Sequence, residues 1–498
     1  MATLKPIALK EALDFNTTIE VDANDTVRIK TPQRKFVETD WQNYDINVLA
    51  NLARYGRGNG AANWSEMGCY KTTTCLWLIR ELQAKKVLLI TTKTGKTTYF
   101  ETAPFVLPEY KLIEVTAAGL ETPPKDYFKH TDVPTIYVAH YEIFQDRSKV
   151  WPLLWKMGVW DFVGLDEAHR IKNRKAQCTK NIKKLYRKYS HTMTGTGFTN
   201  KPDEIWSLLD FLKAPKLRAY WPFRNHYCEI EEHSGFQNVV GLKPKYEKEF
   251  REYVNLRGVR RLKREIFSEL EEPLMREVLV DLNARQRKMY DEIKKELETL
   301  DANGEPISSP VVLSQLTRLR QISCATPEVV DRIWNPKSER LETKIKLTEP
   351  SAKLDALMDV IDETDAPFVI FDNFAQMVSL IEARFNRKKI DYIRLLPSDN
   401  ARQRADKVAR FQTGEVKAFL STIRLGSEAI TLTASSRVVF TSRDYSPGAN
   451  NQAISRCHRP GQKERVEVVH INARRTIDQR INNMLVRKSG WFAQIFST

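Results

Sequence analysis

The chain has 498 residues and carries 79 Lys and Arg against 63 Asp and Glu, a formal charge of +16. Apolar residues make up 42% and charged residues 29%, which excludes a disordered chain and suits roughly three domain-sized units, or two lobes with insertions. The cationic excess points to a polyanionic partner, nucleic acid before membrane, although a merely basic soluble protein has the same balance. Six cysteines (Cys69, Cys75, Cys178, Cys228, Cys324, Cys457) are scattered without a CxxC pair. That indicates neither a zinc site nor a disulfide framework, and a reducing compartment is expected. No apolar run approaches the roughly 18 residues of a membrane helix, and the first residues do not read as a signal peptide.

Residues 1–38 alternate weakly, as in Thr18–Val21 and Val27–Lys30, and predict a small β-rich extension. Asp40–Leu49 has helical spacing, with Trp41, Tyr44, Val48 and Leu49 on one face and Gln42 near the start. Ser65–Thr73 follows, leading into an apolar helix pattern at Leu76–Ile79. A phosphate-binding loop needs exposed backbone N–H groups at a helix N-terminus, a lysine for the phosphate oxygens and a hydroxyl for Mg²⁺. Gly68, Lys71 and Thr72 supply those parts, and Thr73 beside them is a further candidate for nucleotide binding. Val87–Ile90 reads as a buried strand, and the loop Thr91–Thr97 after it combines hydroxyls with Lys93 and Lys96. Lys93, Thr94 and Lys96 suit backbone-phosphate contacts on DNA, though an ordinary polar loop has the same composition.

Thr135–Val138 predicts another strand, and Phe162–Leu165 a further one that ends in Asp166 and Glu167. Carboxylates at the end of a parallel strand stand where open α/β sheets place their chemistry. Asp166 can hold Mg²⁺ and Glu167 can orient or deprotonate a water, although an acidic pair after an apolar run is also a common helix start. Met193–Asn200 and Glu204–Leu212 follow. From about 213 to 350 the pattern is helical and irregular, with a basic run at Arg257–Ile266 that also reads as a solvated helix face. The turn-rich Asn335–Ser338 places the linker between lobes near 335–350.

From 351 onward strand and helix signals alternate, as a parallel sheet requires. Strands are predicted at Pro367–Phe371, Tyr392–Leu395, Phe419–Thr422, Val438–Phe440 and Val466–Ile471, and helices at Arg402–Phe411 and Thr476–Ile481. Gln452–Gln462 places Arg456 and Arg459 three residues apart, on one face if helical. Two such arginines can reach across a cleft to stabilise a departing phosphate.

The segment Asp166–Asn173 resembles motif II of superfamily-two helicases in the form used by Swi/Snf-type ATPases. Glu66–Gly68 with Lys71–Thr72 resembles the family's phosphate loop, with Ser65 for Asp and Tyr70 for the glycine before the lysine. Thr194, Gly195, Thr196, Asn200 and Trp206–Leu209 fall in register with its motif III, with Gly197 for proline. Asp372–Phe374 matches motif IV, and Arg424, Gly426, Ile430 and Leu432–Ala434 match motif V, where Ser427, Ala429 and Thr431 replace Gly, Gly and Asn. Gln452–Gln462 resembles motif VI, with Ser455 for Asp. The stretch Phe223–Phe250 resembles the annealing-helicase (HARP-like) branch.

The resemblance implies an α/β fold of two RecA-like parallel-sheet lobes with ATP and Mg²⁺ in the cleft between them. It implies a Gln42 that reads adenine, Gln452 at the nucleotide, and Arg456 with Arg459 completing the site from the second lobe. Asn373, Thr422 and Arg424 would join Lys93, Thr94 and Lys96 on DNA. The expected division is an extension at 1–38, lobe 1 at 39–213, a helical insertion and linker at 214–350, and lobe 2 at 351–498. The expected activity is an ATP-dependent translocase or remodeller of double-stranded or forked DNA, with no membrane partner. The short chain suggests a stand-alone bacterial or viral motor, in the cytoplasm of a bacterium or an infected host rather than a nucleus. A DNA-binding pseudo-ATPase, motivated by Tyr70 and the lost motif V glycines, and an RNA-directed ATPase remain as alternatives.

Overall fold

The computed structural model describes residues 18–21, 27–30, 39–56, 58–116, 133–145, 150–195, 201–233, 236–302, 310–335, 340–427 and 430–496. Strands β1 (Thr18–Val21) and β2 (Val27–Lys30) pair antiparallel, as their alternation suggests. The first lobe is built on β3 (Gly60–Asn63), β4 (Lys86–Thr91), β5 (Lys111–Glu114), β6 (Thr135–His140), β7 (Trp160–Asp166) and β8 (Arg187–Met193). A hairpin of β9 (Cys228–His233) and β10 (Phe236–Leu242) follows, and then β11 (Gly258–Val259). The parallel sheet runs β11-β3-β8-β7-β4-β6-β5. Its central strands read as unbroken apolar runs because helices cover both faces. Val87, Leu88, Leu89 and Ile90 are all buried, as are Phe162, Val163 and Leu165.

The second lobe opens with β12 (Leu274–Val280), followed by the hairpin of β13 (Thr326–Asn335) and β14 (Arg340–Thr348). Then come β15 (Phe368–Asp372), β16 (Tyr392–Arg394), β17 (Ala418–Thr422), β18 (Arg437–Phe440) and β19 (Glu467–Ala473). This sheet runs β12-β19-β18-β15-β17-β16, all parallel. Helix 401–412 starts on a capping box at Asn400 and Gln403, and Gly414 follows it with φ +77°.

The segment 214–350, expected as a helical insertion and linker, instead gives an edge strand to each sheet. β11 pairs with β3, and β12 runs the full length of β19. Phe223, Tyr227, Cys228, Phe250 and Val254 belong to the core of the first lobe. The chain crosses between sheets at 260–273, Asn335 pairs with Arg340, and residues 336–339, with most of the turn signals near 335, lie outside the described residues. The physical reason is that parallel pairing joins segments far apart in sequence, here β11 with β3 and β12 with β19, so the sheet a strand joins is not written in its local pattern.

Helix 40–55 also differs from expectation. It buries Gln42, Asp45, Ile46, Leu49, Ala50 and Ala53, while Tyr44 is exposed. The run Arg257–Ile266 is no solvated helix: only 263–266 is helical. Residues 257–261 follow β3 and the loop after it, since Ala62, Trp64 and Glu66 donate their N–H groups to the carbonyls of Arg257, Val259 and Arg261.

Candidate functional site: a cleft between two parallel sheets

The phosphate loop runs from the end of β3 into helix 71–81, whose first turn has no side-chain cap. Uncapped N–H groups at a helix start suit an anion. Gly68 takes φ +87°, a conformation that glycine adopts without strain. Lys71 begins the helix, and its Nζ donates to the carbonyls of Ser65 at 2.9 Å and Glu66 at 2.6 Å. Thr72 is half-buried beside it, and Thr73 donates its hydroxyl to the Tyr70 carbonyl. Tyr70 itself adopts φ +48°, ψ +32°. It therefore takes the left-handed conformation that the family's glycine permits, and its ring lies edge-on to Phe267 at 5.8 Å.

Gln42 is 3% exposed. Its Oε1 closes the capping box with Thr39, and its Nε2 donates to Thr73 Oγ1 at 3.4 Å. It touches the phosphate-loop helix, with both ends of its amide engaged by protein. Ser65, which stands for the family's aspartate, accepts from the Arg261 N–H at 3.0 Å.

Asp166 ends β7, and Glu167 follows it with φ +52°. That conformation costs a non-glycine residue of order 1 kcal/mol and concentrates at functional sites. Thr91, at the end of β4, donates its hydroxyl to Asp166 Oδ2 at 3.1 Å, and Tyr141 donates to the Asp166 carbonyl at 2.7 Å. Burial, reinforced by the charge of Glu167, pushes the Asp166 carboxyl up to about 6. Burial also acts to raise Glu167, but His169, Lys71 and Arg456 outweigh it and hold Glu167 below its ordinary value. Glu167 Oε2 lies 3.3 Å from His169 Nδ1, and His169 Nδ1 lies 3.5 Å from Thr194 Oγ1. A Cβ on Gly195 would come within 3.0 Å of the Met67 N–H nitrogen, so this strand end packs directly on the phosphate loop. Thr196, Gly197, Asn200 and Ala429 lie outside the described residues.

The second lobe contributes Arg456 and Arg459. They lie in the turn after helix 447–454, not on one helix face, because the helix stops before Pro460 and Gly461, the latter at φ +96°. Arg456 Nη2 donates to the Ser427 carbonyl at 2.6 Å, and Arg459 Nη1 donates to Thr431 Oγ1 at 2.8 Å. Two positions where this chain departs from motif V therefore hold the two arginines. Gln452 lies half-buried on that helix, and its carbonyl accepts from Ser455 Oγ at 2.7 Å.

The lobes meet at a residue that composition and spacing did not single out. Lys263 is 7% exposed, its N–H donates to Glu66 Oε2, and its Nζ donates to the His458 carbonyl at 2.6 Å. Arg261 places Nε and Nη2 on the buried Asp45 carboxylate, the latter at 2.7 Å. Both residues lie in the basic run Arg257–Ile266.

The expected DNA contacts are not equivalent. Lys93 and Arg424 are exposed, and Thr94 is half-buried just before helix 95–106. Lys96 pairs with Glu114. The Asn373 amide sits between Asp444 Oδ2 at 3.1 Å and Arg320 Nη2 at 3.2 Å, and Thr422 Oγ1 caps Leu425. Asn373 and Thr422 thus have internal work.

No described helix is long and apolar enough to cross a membrane, and the described residues hold no cluster of three His, Cys, Asp or Glu for a metal. Residues 44–328 match the SNF2-related domain, and 352–461 match the helicase conserved C-terminal domain. The TATA-binding protein-associated factor mot1 of Aspergillus fumigatus is 27% identical over 70% of this chain and 20% of its own length. The putative ATP-dependent helicase/translocase YwqA of Bacillus subtilis is 26% identical over 68% of this chain and 36% of its own. Snf21, a chromatin structure-remodeling complex subunit of Schizosaccharomyces pombe, is 24% identical over 84% of this chain and 36% of its own. The chain thus spans between a fifth and about a third of these relatives. The solved Sulfolobus solfataricus SWI2/SNF2 ATPase core in complex with dsDNA aligns over 93% of both chains at 22% identity, with a TM-score of 0.42. With more than half its length matched by the SNF2-related domain, this chain belongs to the SNF2-related family of helicase-like ATPases.

Proposed function

We propose that this chain is an ATP-dependent translocase or remodeller of double-stranded or forked DNA. The observation that carries the reading is the convergence of three charged groups from two lobes. Lys263 ties Glu66 of the phosphate loop to the carbonyl of His458, between Arg456 and Arg459, and so sets Lys71 and Arg456 close enough to act on Glu167.

The residues fit the nucleotide and its metal. Asp166, raised first by burial and then by the charge of Glu167, is short of positive charge, which a divalent cation would supply. Asp166 and Thr72 would hold Mg²⁺, and Gly68, Lys71 and Thr73 would face the phosphates. Bound Mg²⁺ would neutralise charge on the β- and γ-phosphate oxygens. Glu167, kept ionised, orients the attacking water and takes its proton. Arg456 and Arg459 face the charge that develops on the departing phosphate. Gln42 and Gln452 border the nucleotide from opposite lobes.

Lys93, Thr94 and Arg424 are offered to DNA phosphates, with Lys96, Asn373 and Thr422 behind them. Phosphate contacts suit a moving motor because they carry no sequence information. The lost glycine at position 70 gives no reason to expect an inactive site, because Tyr70 takes the glycine-like conformation and turns its ring to Phe267.

The test is ATP hydrolysis without nucleic acid and with single-stranded DNA, duplex, forked DNA and RNA, beside Glu167→Gln. Duplex or fork stimulation that disappears in the variant is the expected result. Equal stimulation by RNA, or no hydrolysis on any substrate, overturns the reading.

A further inference from the structure

The first sheet has a second end, away from Asp166 and Glu167. β7 runs from Trp160 to Asp166, so its start lies one strand length, roughly 20 Å, from the cleft. There helix 151–156 and the start of β8 border an open pocket of about 730 Å³, within the range of ligand sites. Its lining contains four cations, Lys183, Lys184, Arg187 and Lys213, and no carboxylate. Lys183 is paired with Asp210 at 2.8 Å. The Arg187 guanidinium is fixed at the floor by the carbonyls of Leu185 and Phe211 and by the Phe211 ring at 4.0 Å. Lys184 Nζ stands 5.7 Å from the Trp151 ring centroid. Above them, Trp155 and Tyr186 are 40% and 58% exposed, with rings 6.2 Å apart and inclined by 34°.

We propose that this pocket binds unpaired nucleotides of single-stranded nucleic acid. Bases stack on Trp155 and Tyr186, and phosphates lie on Lys184 and Lys213 over the fixed charge of Arg187. Aromatic faces interleaved with cations are the recurring solution for an unpaired strand, because every base has a face to stack and every step a phosphate. A duplex keeps its bases inside and cannot reach these rings. An acidic peptide would satisfy the lysines but leave two exposed aromatic faces without flat partners. The site stands independently of the translocase reading, since none of its residues borders the cleft.

The test measures anisotropy of a labelled short oligothymidylate on the full chain, with unlabelled duplex present in excess. Trp155→Ala with Tyr186→Ala should weaken binding about tenfold or more, and Lys184→Glu with Lys213→Glu should do the same. Trp155→Phe with Tyr186→Phe should retain binding, and duplex-stimulated ATP hydrolysis should be unchanged in all three. Should the alanine pair not fold, the lysine pair carries the test. Wild-type affinity in the folded variants overturns the proposal. So does displacement of the oligonucleotide by polyglutamate at equal charge, which would make the pocket a site for acidic protein.

Discussion

The Lys263 Nζ donates to the carbonyl of His458 at 2.6 Å, and so joins the phosphate loop of one lobe to the arginine turn of the other. Burial pushes the Lys263 ammonium down to about 8, with Glu66 and Cys69 acting to raise it and Arg459 and Lys71 to lower it. His458, lowered to about 4 by burial, stays neutral throughout. Separating the lobes re-exposes Lys263 and returns it toward its ordinary 10.5. The open form then binds the proton more tightly, so closure is favoured as pH rises from about 8 toward 10.5 and penalised below about 8. Small-angle scattering of the nucleotide-free chain should show a smaller radius of gyration at pH 9.5 than at pH 7. Lys263→Met should abolish that dependence, and its persistence would exclude Lys263 as the cause.

Tyr70 separates backbone strain from side-chain contact. Tyr70→Gly relieves a left-handed residue worth about 1 kcal/mol and loses an edge-on ring pair worth about 0.5–1.5 kcal/mol. Its net effect on stability should be near zero, with ATP affinity kept. Tyr70→Val places a β-branched residue in the same conformation and should cost about 2 kcal/mol. Thermal melts of the two variants would reveal the ranking, and equal melting temperatures would remove the strain argument.

The carboxylates should separate binding from chemistry. Glu167→Gln should lower kcat by about 10²–10⁴-fold with little change in nucleotide affinity. Asp166 must be ionised to hold Mg²⁺, and its carboxyl is raised to about 6. Mg²⁺-dependent nucleotide affinity should therefore fall as pH drops from 7.5 to 5.5. Calorimetric titration at the two values measures it, and a flat affinity would place the metal elsewhere.

Thr431 orients Arg459 through a 2.8 Å hydrogen bond. Arg459→Ala should reduce kcat by about 10³-fold. Thr431→Val keeps the shape, removes the acceptor, and should reduce kcat by about tenfold with KM unchanged. Thr431→Asn, the family's residue, should restore the rate. A KM effect without a kcat effect would show that Thr431 serves nucleotide binding instead.

The pair Asp45 and Arg261 secures the added strand. Arg261→Ala would strand a carboxylate that is 1% exposed, at a cost of about 3 kcal/mol, the low end of the range because Arg261 is itself 27% exposed. Adding Asp45→Asn should recover part of the loss, which urea denaturation would measure.

What could be read from the chain follows from what is local. Val87–Ile90 and Phe162–Leu165 announce buried strands, and Lys71, Asp166, Glu167, Arg456 and Arg459 stand in short motifs. The structure brings Lys71 and Arg456 within electrostatic reach of Glu167, and Lys263 ties the two lobes together beside them. The run at 257–263 misled because its backbone pairs with β3, almost 200 residues earlier, and bonds Glu66, while its Arg261 and Lys263 charges are spent on Asp45 and the His458 carbonyl. Tyr44 misled because helical spacing gives a period but not a phase. The buried face is set by Asp45, Ile46 and Leu49, one step round the helix. Asn373 and Thr422 were expected on DNA by resemblance, but Asp444 and Arg320 flank the Asn373 amide and Thr422 caps Leu425.

Because β11 and β12 are the outer strands of their sheets, the stretch 260–273 is a covalent strap sewn to two rims. Severing the peptide there leaves each half with its entire sheet, seven strands in one and six in the other. Expressed as two polypeptides, the halves would each carry an incomplete set of charges, with Glu167 on one and Arg459 on the other. Their reunion would report itself as restored turnover, so the strap marks the natural seam for a split enzyme.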